Sequence, residues 1–458
     1  MNQLLKSNNW ISGLQWLFFI FTNIVVIPIT VGAAFGLPQE TVVSLLQLSF
    51  IVTGLACMAQ ALLGHHRALL EGQSGLWWGI ILTLVATASA QGMPMEELGG
   101  SLAVGILISA AITVLIGITG LGPKIAKLFN PGVMGVFMFL FGCQLISIFL
   151  KGMLGIPFGN DAASGSIDLG ISLLSIIIAI IVVLVSVIAP PAIRRYGLLI
   201  GIIIGWPLYT LVFGTEASVG EAKAFSFSLF PLGAPAWNTG IILTVVLTGL
   251  LNTANTFGAL KGTDSMYKSE TSNKQYRNSF TITGITTGIA GLFGLVPYAP
   301  FVSSIGFLNQ TGDIKRMPFI LGGFMFFMMG IIPPVGTFFS LLPLSIGSAV
   351  LFVSYLQLLN SSFNFFKNVT FNTINVYRSA IPLFVGIIIM TMPAAYFETL
   401  PETLRPLVSN GLLVGITLAL LLENLVPWER IGTVPAKGAE PKQKDTEANV
   451  SETTHARN

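Results

Sequence analysis

Hydrophobic residues along this chain form long runs that are separated by short polar connections. A helix needs about 20 apolar residues to cross the hydrocarbon core of a bilayer. Windows of roughly that length fall at about 14–34, 41–63, 74–90, 99–121, 130–150, 167–189, 197–214, 237–258, 279–296, 317–336, 341–362, 380–397 and 408–426. Between residues 291 and 316 lies a further apolar element, broken at Pro297 and Pro300. Counted with it, the pattern predicts fourteen membrane-spanning elements.

Two of these elements, the third and the tenth, are predicted to be irregular. The tenth carries two prolines and then Ser303, Ser304 and Gly306, and the short third element follows the polar run 71–75, which we interpret as flexible. Non-helical backbone at membrane depth is tolerated only where it is buried in protein or lines a cavity. Interrupted spans of this kind point to a transporter's binding site. The alternative is a plain loop between two ordinary spans.

Composition agrees with a membrane protein. Hydrophobic residues make up 53% of the chain and charged residues only 9%, whereas soluble domains have about 25% charged residues. The net charge of +3 comes from cations scattered among short loops, so it gives no indication of nucleic-acid binding. Cys57 and Cys143 lie in apolar runs, and no Cys/His cluster forms. We therefore expect no disulfide framework, metal site or cofactor.

The Lys and Arg residues predict the orientation, because cytoplasmic loops carry an excess of them. With the N-terminus inside, fourteen spans place all but three of the 22 Lys and Arg residues on the cytoplasmic side. The exceptions are Lys151, Lys223 and Arg405. A miscounted span would invert every later loop and destroy this bias. Both termini are therefore predicted to be cytoplasmic.

A faint internal repeat relates the two halves. Pro131 and Gly135 open span 5, and Pro343 and Gly347 open span 12 with the same spacing, seven elements later. The irregular elements 3 and 10 are also seven apart. Because seven is odd, the second copy would enter the membrane from the opposite side. The pattern predicts an inverted repeat, as in many transporters.

Polar groups cluster on one face of span 8. Asn252, Asn255 and Thr256 are spaced i, i+3 and i+4, which places them on the same side of a helix. Amides are expensive in hydrocarbon unless they are bonded, so they either join helices as packing contacts or line a cavity. Rings near the breaks, such as Trp77 and Phe301, would stack on a planar ligand or sit in an interfacial belt. No general acid/base pair lies at membrane depth, so we expect no enzyme.

The tenth element resembles the signature of the nucleobase–ascorbate (nucleobase:cation symporter) family. That signature is an acid or Gln, then Asn, any residue, Gly, four further residues, Thr, and a basic residue or Gly. Here the run reads Ser303-Ser304-Ile-Gly306-Phe-Leu-Asn-Gln-Thr311-Gly312. Span 1 is similar to the family's Gln-His-x-Phe…Pro run, with Gln15-Trp16-Leu17-Phe18 and Pro28, and Gly72-Gln73-Ser74 resembles its Gly-Ser-Ser at span 3.

The resemblance implies an all-α polytopic membrane protein with 14 transmembrane segments in two inverted 7-span repeats. Residues 1–128 and 237–337 (spans 1–4 and 8–11) would form a core domain. Residues 129–215 and 338–426 (spans 5–7 and 12–14) would form a gate domain. Short antiparallel strands in spans 3 and 10 would meet at the midplane, where helix ends face the ligand. The charged tail, 427–458, is predicted to be disordered.

The resemblance also implies a nucleobase site between the two breaks. The candidate substrate-binding residues are Gln73, Ser74, Trp77, Asn252, Asn255, Thr256, Phe301, Ser303 and Ser304. The family's span-8 acid corresponds to Asn252 in one register and to Asn255 in another, and the signature's acid or Gln corresponds to Ser303. Both acids typical of the proton-coupled uracil permease are therefore absent, which removes the simplest proton carrier.

The resemblance implies a permease of the plasma membrane that takes up a purine such as xanthine or urate, or else uracil. The resemblance implies alternating access, coupling to H⁺ or Na⁺, and a homodimer in the bilayer. The alternatives are an uncoupled facilitator, a non-transporting nucleobase sensor, or an anion transporter of the same architecture. The last would favour a basic group near the breaks, and none lies between Val296 and Asn309.

Overall fold

The structure is a computed structural model that describes residues 7–156, 165–194, 196–214, 228–370, 372–401 and 403–428. Its elements in chain order are α1 (Ser7–Ile24), α2 (Val26–Phe35), α3 (Gln39–Leu62), β1 (Glu71–Gln73), α4 (Gly75–Ala90), α5 (Met95–Thr119), α6 (Gly122–Ala126), α7 (Pro131–Met153), α8 (Leu169–Ile188), α9 (Pro191–Arg194), α10 (Gly197–Phe213), α11 (Thr239–Gly262), α12 (Asp264–Tyr267), α13 (Asn273–Phe293), β2 (Tyr298–Pro300), α14 (Ser303–Thr311), α15 (Arg316–Ile331), α16 (Pro333–Ser340), α17 (Leu344–Tyr355), α18 (Gln357–Phe366), α19 (Thr373–Thr391), a 3₁₀ turn (Ala394–Phe397), α20 (Arg405–Val408) and α21 (Gly411–Leu425).

The described chain is a helical bundle of membrane-spanning type. By length and composition, eight of its helices can cross a bilayer, or nine if α15 and α16 count as one bent span. The shorter helices α4, α10 and α21 are also apolar. The predicted polytopic helical membrane fold is confirmed at this level. The count of fourteen and the inverted repeat stay predictions.

The predicted span at 317–336 contains a sharp bend that the apolar window did not indicate. Helix α15 ends at Ile331, and α16 starts at Pro333 after a bend of 87°. Pro333 cannot donate a backbone hydrogen bond, and a proline pushes the residue before it out of helical geometry. Ile332 accordingly has an extended backbone, with φ −87° and ψ 104°. The bend carries α16 against α3.

Two groups of helices surround the site. In one group, α5 packs on α11 and α13, and α15 packs on α1 and α3. In the other, α7 packs on α17, α18 and α21. Gly249 permits a close approach in the first group, because a Cβ there would lie 1.6 Å from Ser109 Oγ on α5. This contact fixes the height of α11 beside α5 and so positions the polar face that follows Gly249.

The last described residue, Trp428, lies against α21 and α19. Trp428 Nε1 donates to the carbonyl of Leu422 at 2.6 Å, and the guanidinium of Arg378 lies 5.9 Å from the Trp428 ring centroid. The remainder of the tail predicted to be disordered, from residue 429 onward, lies outside the described residues.

Candidate functional site

Two short strands meet where the helices of the third and tenth elements are interrupted. Strand β1 pairs antiparallel with β2, with Gly72 opposite Ala299. The pairing is extended by Ser74 N, which donates to the Pro297 carbonyl at 2.8 Å. All three residues of each strand are buried. The run 71–73 is therefore a fixed, paired strand, and the prediction of a flexible polar segment there is wrong.

Helices begin directly after both strands. Helix α4 starts at Gly75 and α14 starts at Ser303, so the N-terminus of each lies next to the strand pair. A helix N-terminus carries partial positive charge, which suits an electron-rich ligand atom. The side of α4 that faces the second helix group is tightly packed, because a Cβ on Gly75 would lie 2.8 Å from Phe141 Cζ and 3.1 Å from the Tyr355 hydroxyl.

Asn252 joins α11 to both strand segments. Its Nδ2 donates to the Tyr298 carbonyl at 2.9 Å, and its Oδ1 accepts from Ser74 Oγ at 2.7 Å. Asn255 Nδ2 donates to the same oxygen at 3.0 Å. The two amides are therefore bonded to each other and to both breaks. Sequence reasoning left the choice between Asn252 and Asn255 open, and in this structure Asn252 is the residue that contacts the strands.

Gln73 presents an unused donor at the strand pair. Its side chain is 1% exposed, and its Oε1 accepts from Ser49 Oγ at 3.2 Å. Its Nε2 has no hydrogen-bond partner among the described residues. A buried amide N–H group without a partner is unfavourable. It gives the site a donor that a ligand carbonyl would satisfy.

Trp77 and Thr256 line a small polar cavity beside Asn252. The other lining residues are Ser109, Thr113, Gly249, Thr253, Phe280, Thr283 and Thr287. Its volume is about 10 Å³, which is close to the space of one water molecule. Small-molecule sites usually measure about 300–1,000 Å³, so this structure holds the site closed.

The residues after β2 divide into three environments. Phe301 is 9% exposed, and its Cε1 would lie 3.4 Å from a Cβ on Gly72. Ser304 is buried, and its Oγ accepts from Leu70 N at 3.0 Å. Ser303 is exposed. The Ser304 hydroxyl therefore binds the segment before β1, and Ser303 does not lie at the amide cluster.

Two aromatic residues near the breaks are core residues and not part of an interfacial belt. Trp78 is fully buried, and its Nε1 donates to Thr30 Oγ1 at 2.9 Å. Tyr298 is also fully buried, with its hydroxyl 3.1 Å from Thr53 Oγ1. Both rings anchor the strand pair and the start of α4 to neighbouring helices.

Sequence reasoning missed Glu71. This carboxylate is completely buried at the start of β1. Its Oε1 accepts from Thr283 Oγ1 at 2.7 Å, and its Oε2 accepts from Gln60 Nε2 at 3.1 Å. The available signal was its position: an acid two residues before the Gln73-Ser74 pair at a predicted break.

A second cavity, of about 730 Å³, lies between α1, α10, α15 and α16. Its lining is almost wholly apolar, with Phe18, Trp206 and Phe339 among the rings and Thr210 as the one hydroxyl-bearing residue. A nucleobase needs several hydrogen-bonding groups, so this cavity does not suit it.

Comparison with known proteins decides the family. Residues 8–395 match the model of a family described as a permease family. The chain belongs to this family, the nucleobase–ascorbate permeases. The match covers the strand pair, the amide cluster and most of the helices. Members of the nucleobase–ascorbate family are multi-pass membrane transporters, so this chain is a permease and not an enzyme.

Relatives among the nucleobase–ascorbate permeases align along nearly the whole chain. The putative purine permease YwdJ of Bacillus subtilis is 28% identical over 92% of this chain and 96% of its own. The uric acid permease PucJ of Bacillus subtilis is 25% identical over 90% of each chain. The uric acid transporter UacT of Escherichia coli is 24% identical over 90% of this chain and 84% of its own.

A solved structure shows the same fold at low identity. The transmembrane domain of the cyanobacterial bicarbonate transporter BicA superposes with a TM-score of 0.62 at 14% identity, covering 91% of this chain and 98% of that one. The likeness concerns the fold alone. It shows that the nucleobase–ascorbate permease described here shares its architecture with an anion transporter.

Proposed function

We propose that this permease takes up a nucleobase across the plasma membrane, a purine such as xanthine or urate or else uracil, by alternating access coupled to a cation. The observation that carries the proposal is the amide cluster at the strand pair. Asn252 bonds to both breaks and Asn255 bonds to Asn252, while Gln73 Nε2 lacks a partner. Amides both donate and accept, which matches the alternating edge of a base.

The aromatic rings at the site favour a planar ligand. Trp77 and Phe301 are aromatic walls near the amides, and base rings stack on such side chains. No Lys or Arg lies between Val296 and Asn309. An inorganic anion would favour a cation there, so the anion-transporter alternative has only the shared fold in its support.

The same site residues are proposed as before: Gln73, Ser74, Trp77, Asn252, Asn255, Thr256, Phe301, Ser303 and Ser304. Asn252 and Gln73 would read the base edge, because they hold the amide groups nearest the strand pair. Ser74 and Ser304 would act indirectly, since their hydroxyls orient Asn252 and the segment before β1. Ser303 would need a different conformation to reach the base.

Several features support the finer architecture. The eight long helices, the bent pair, the three shorter apolar helices, α13 and the broken β2–α14 element would together make fourteen spans. Helix α7 starts at Pro131 and α17 is capped by Pro343, in keeping with an inverted repeat. The group around α5 would be the core and the group around α7 the gate. Cytoplasmic termini and a homodimer complete the proposal.

Transport would require the two helix groups to separate. The polar cavity of about 10 Å³ has no room for a base, and α4 touches Phe141 and Tyr355 of the other group. Movement of the gate away from Gly75 would open a space at the helix N-terminus. Such rocking about a fixed site is the usual form of alternating access.

The test is uptake of radiolabelled uracil, xanthine, hypoxanthine and urate in cells that lack their own permeases, with and without an uncoupler. Concentrative uptake of one base that the uncoupler abolishes is the expected result. Uptake that only equilibrates would identify an uncoupled facilitator. No uptake of any base, with the protein present in the membrane, would refute the nucleobase assignment.

A further inference from the structure

Glu71 is a buried carboxyl group with only neutral partners. Its two oxygens accept from Thr283 and from Gln60, and its side chain has no exposed surface. Among the described residues it forms no ion pair. A buried carboxylate without a cation is expensive in a membrane protein, whereas a protonated one is tolerated. Such a group is a candidate functional group by default.

The groups that face Glu71 are neutral at pH 7, so Glu71 is the group among them that would change charge. From α3 come Gln60 and Cys57, whose Sγ donates to the Glu71 carbonyl at 3.4 Å. From β2 comes Tyr298, held at Thr53. Thiols and phenols are ordinarily neutral at pH 7. Helix α1 has no titratable side chain in its sequence, so it adds none.

The charged residues of α13 point elsewhere. Lys274 and Arg277 are in the first turns of this helix, and Arg277 donates to the Ile118 carbonyl at 3.0 Å. Thr283 is six residues further along, which corresponds to about 9 Å of helix. No cation of α13 is therefore in place to hold Glu71 permanently ionised.

The surroundings can accommodate a proton. Gln60 Nε2 lies within 3.2 Å of three acceptors, namely Glu71 Oε2, Ser279 O and Thr283 Oγ1. Gln60 Oε1 has no partner among the described residues. The cluster therefore has more acceptors than donors. A proton on Glu71 would add the missing donor.

Thr283 connects Glu71 to the candidate base site. Its hydroxyl donates to Glu71 Oε1, and its side chain also lines the small polar cavity that Asn252 and Thr256 line. That cavity has space for about one water, which would bridge Thr283 and Asn252. Asn252 in turn binds Ser74 on the other side. The path from the carboxyl group to the base site would run through the Thr283 hydroxyl, this water and the Asn252 amide.

We propose that Glu71 is the proton-carrying group of this transporter, in place of the family's absent span-8 acid. The proposal rests on the proposed function. With the site open to the outside, the Glu71 carboxylate takes one proton from external water as the base binds. After the helix groups have reversed, the carboxyl releases that proton to the cytoplasm, and the base leaves. One proton thus crosses with one base, and no other bond changes.

The test uses purified full-length protein in liposomes with Glu71→Gln, which removes the charge at nearly constant shape. Asp313→Asn is the matched control, since it neutralises a carboxylate beside Lys315 outside the buried cluster. Base accumulation under an imposed pH gradient and base exchange at equal pH are both measured. Infrared titration of the carboxylic-acid C=O band, in wild type and in Glu71→Gln, gives a readout independent of transport.

One proton per base allows about tenfold accumulation for each unit of pH gradient. We expect wild type and Asp313→Asn to accumulate the base, and Glu71→Gln to exchange it but reach a ratio of about one. Accumulation by Glu71→Gln equal to that of wild type would overturn the proposal, as would wild-type uptake driven by Na⁺ and indifferent to pH. If no base is transported, the proposed function fails and the infrared titration decides. A titrating acid band absent from Glu71→Gln would support the assignment of Glu71, and its presence in both proteins or in neither would overturn it.

Discussion

Replacement of Asn252 by alanine tests the amide cluster most directly. The side chain makes three hydrogen bonds: it donates to the Tyr298 carbonyl at 2.9 Å and accepts from Ser74 Oγ at 2.7 Å and from Asn255 Nδ2 at 3.0 Å. The two strand-side bonds join α11 to segments that are 46 and 178 residues away in sequence. Asn252→Ala therefore removes the tie between α11 and both breaks at once.

The expected loss follows from these bonds. Hydrogen bonds between helices in membrane proteins contribute about 0.6 kcal/mol each on average, so three give a lower bound of about 2 kcal/mol. Each buried group left without a partner can lose about 1–3 kcal/mol. Not all three would be fully orphaned after relaxation. We expect Asn252→Ala to lower the free energy of unfolding by about 2–5 kcal/mol, and Ser74→Ala by about 1 kcal/mol or less, since Asn252 Oδ1 then still accepts from Asn255.

The assay is thermal unfolding of the detergent-purified variants, with and without the transported base. Thr248→Val is the matched control, because among the described residues its buried hydroxyl bonds only to the Thr244 carbonyl of its own helix, at 2.7 Å. Ligand at 100 times its Kd stabilises a protein by about 2.7 kcal/mol. Wild type and Thr248→Val should show that stabilisation, and Asn252→Ala should not. Equal unfolding of Asn252→Ala and Thr248→Val, with equal ligand response, would refute the role of Asn252.

Two further predictions concern the connection that leads into β1. Arg67 is 1% exposed and donates to four acceptors: Leu260 O, Thr263 Oγ1, Asp264 Oδ1 and Ser269 O. Arg67→Gln should therefore lower the free energy of unfolding by on the order of 3 kcal/mol, whereas Arg277→Gln, at an exposed position, should change it little. Equal melting temperatures of the two variants would contradict this. Burial, with the charges of Arg67 and His66 beside it, lowers the pKa of His65 from 6.5 to about 3, so the folded protein loses stability as pH falls below 6.5. His65→Gln should recover about 2 kcal/mol of the loss between pH 7 and pH 5 in detergent melts, and an unchanged pH dependence would contradict it.

Hydrophobic pattern and residue spacing were sufficient to predict the helical membrane fold and the positions of the two breaks. Long apolar windows report burial in lipid directly, and prolines report where a helix must stop. The bend at Ile332 had the same signal, because Pro333 and Pro334 follow it. It was missed because the residues on both sides of the bend are apolar, so a hydrophobicity window shows no interruption there.

Side-chain direction could not be predicted at the site. Asn252 and Asn255 are on one helical face, so spacing alone gives both the same claim to the family's acid position. The choice depends on the height of α11 beside the strands, which Gly249 sets through its contact with Ser109. Ser303 and Ser304 are adjacent at the start of α14. The rotation of about 100° per residue in a helix leaves Ser303 exposed and Ser304 buried.

Glu71 was overlooked because the family pattern directed attention to acids on span 8 and in the tenth element. The first of those positions corresponds to Asn252 or Asn255 and the second to Ser303, and none of these side chains changes charge with pH. A neutral Asn252 keeps its bonds to Ser74 and Tyr298 at any pH, so the tie between α11 and the strands is constant. If Glu71 carries the proton, the charge change occurs on β1 itself, two residues from Gln73. Protonation would then act on the strand pair directly. Helix α11 would keep its position while Glu71 on β1 gains and loses the proton.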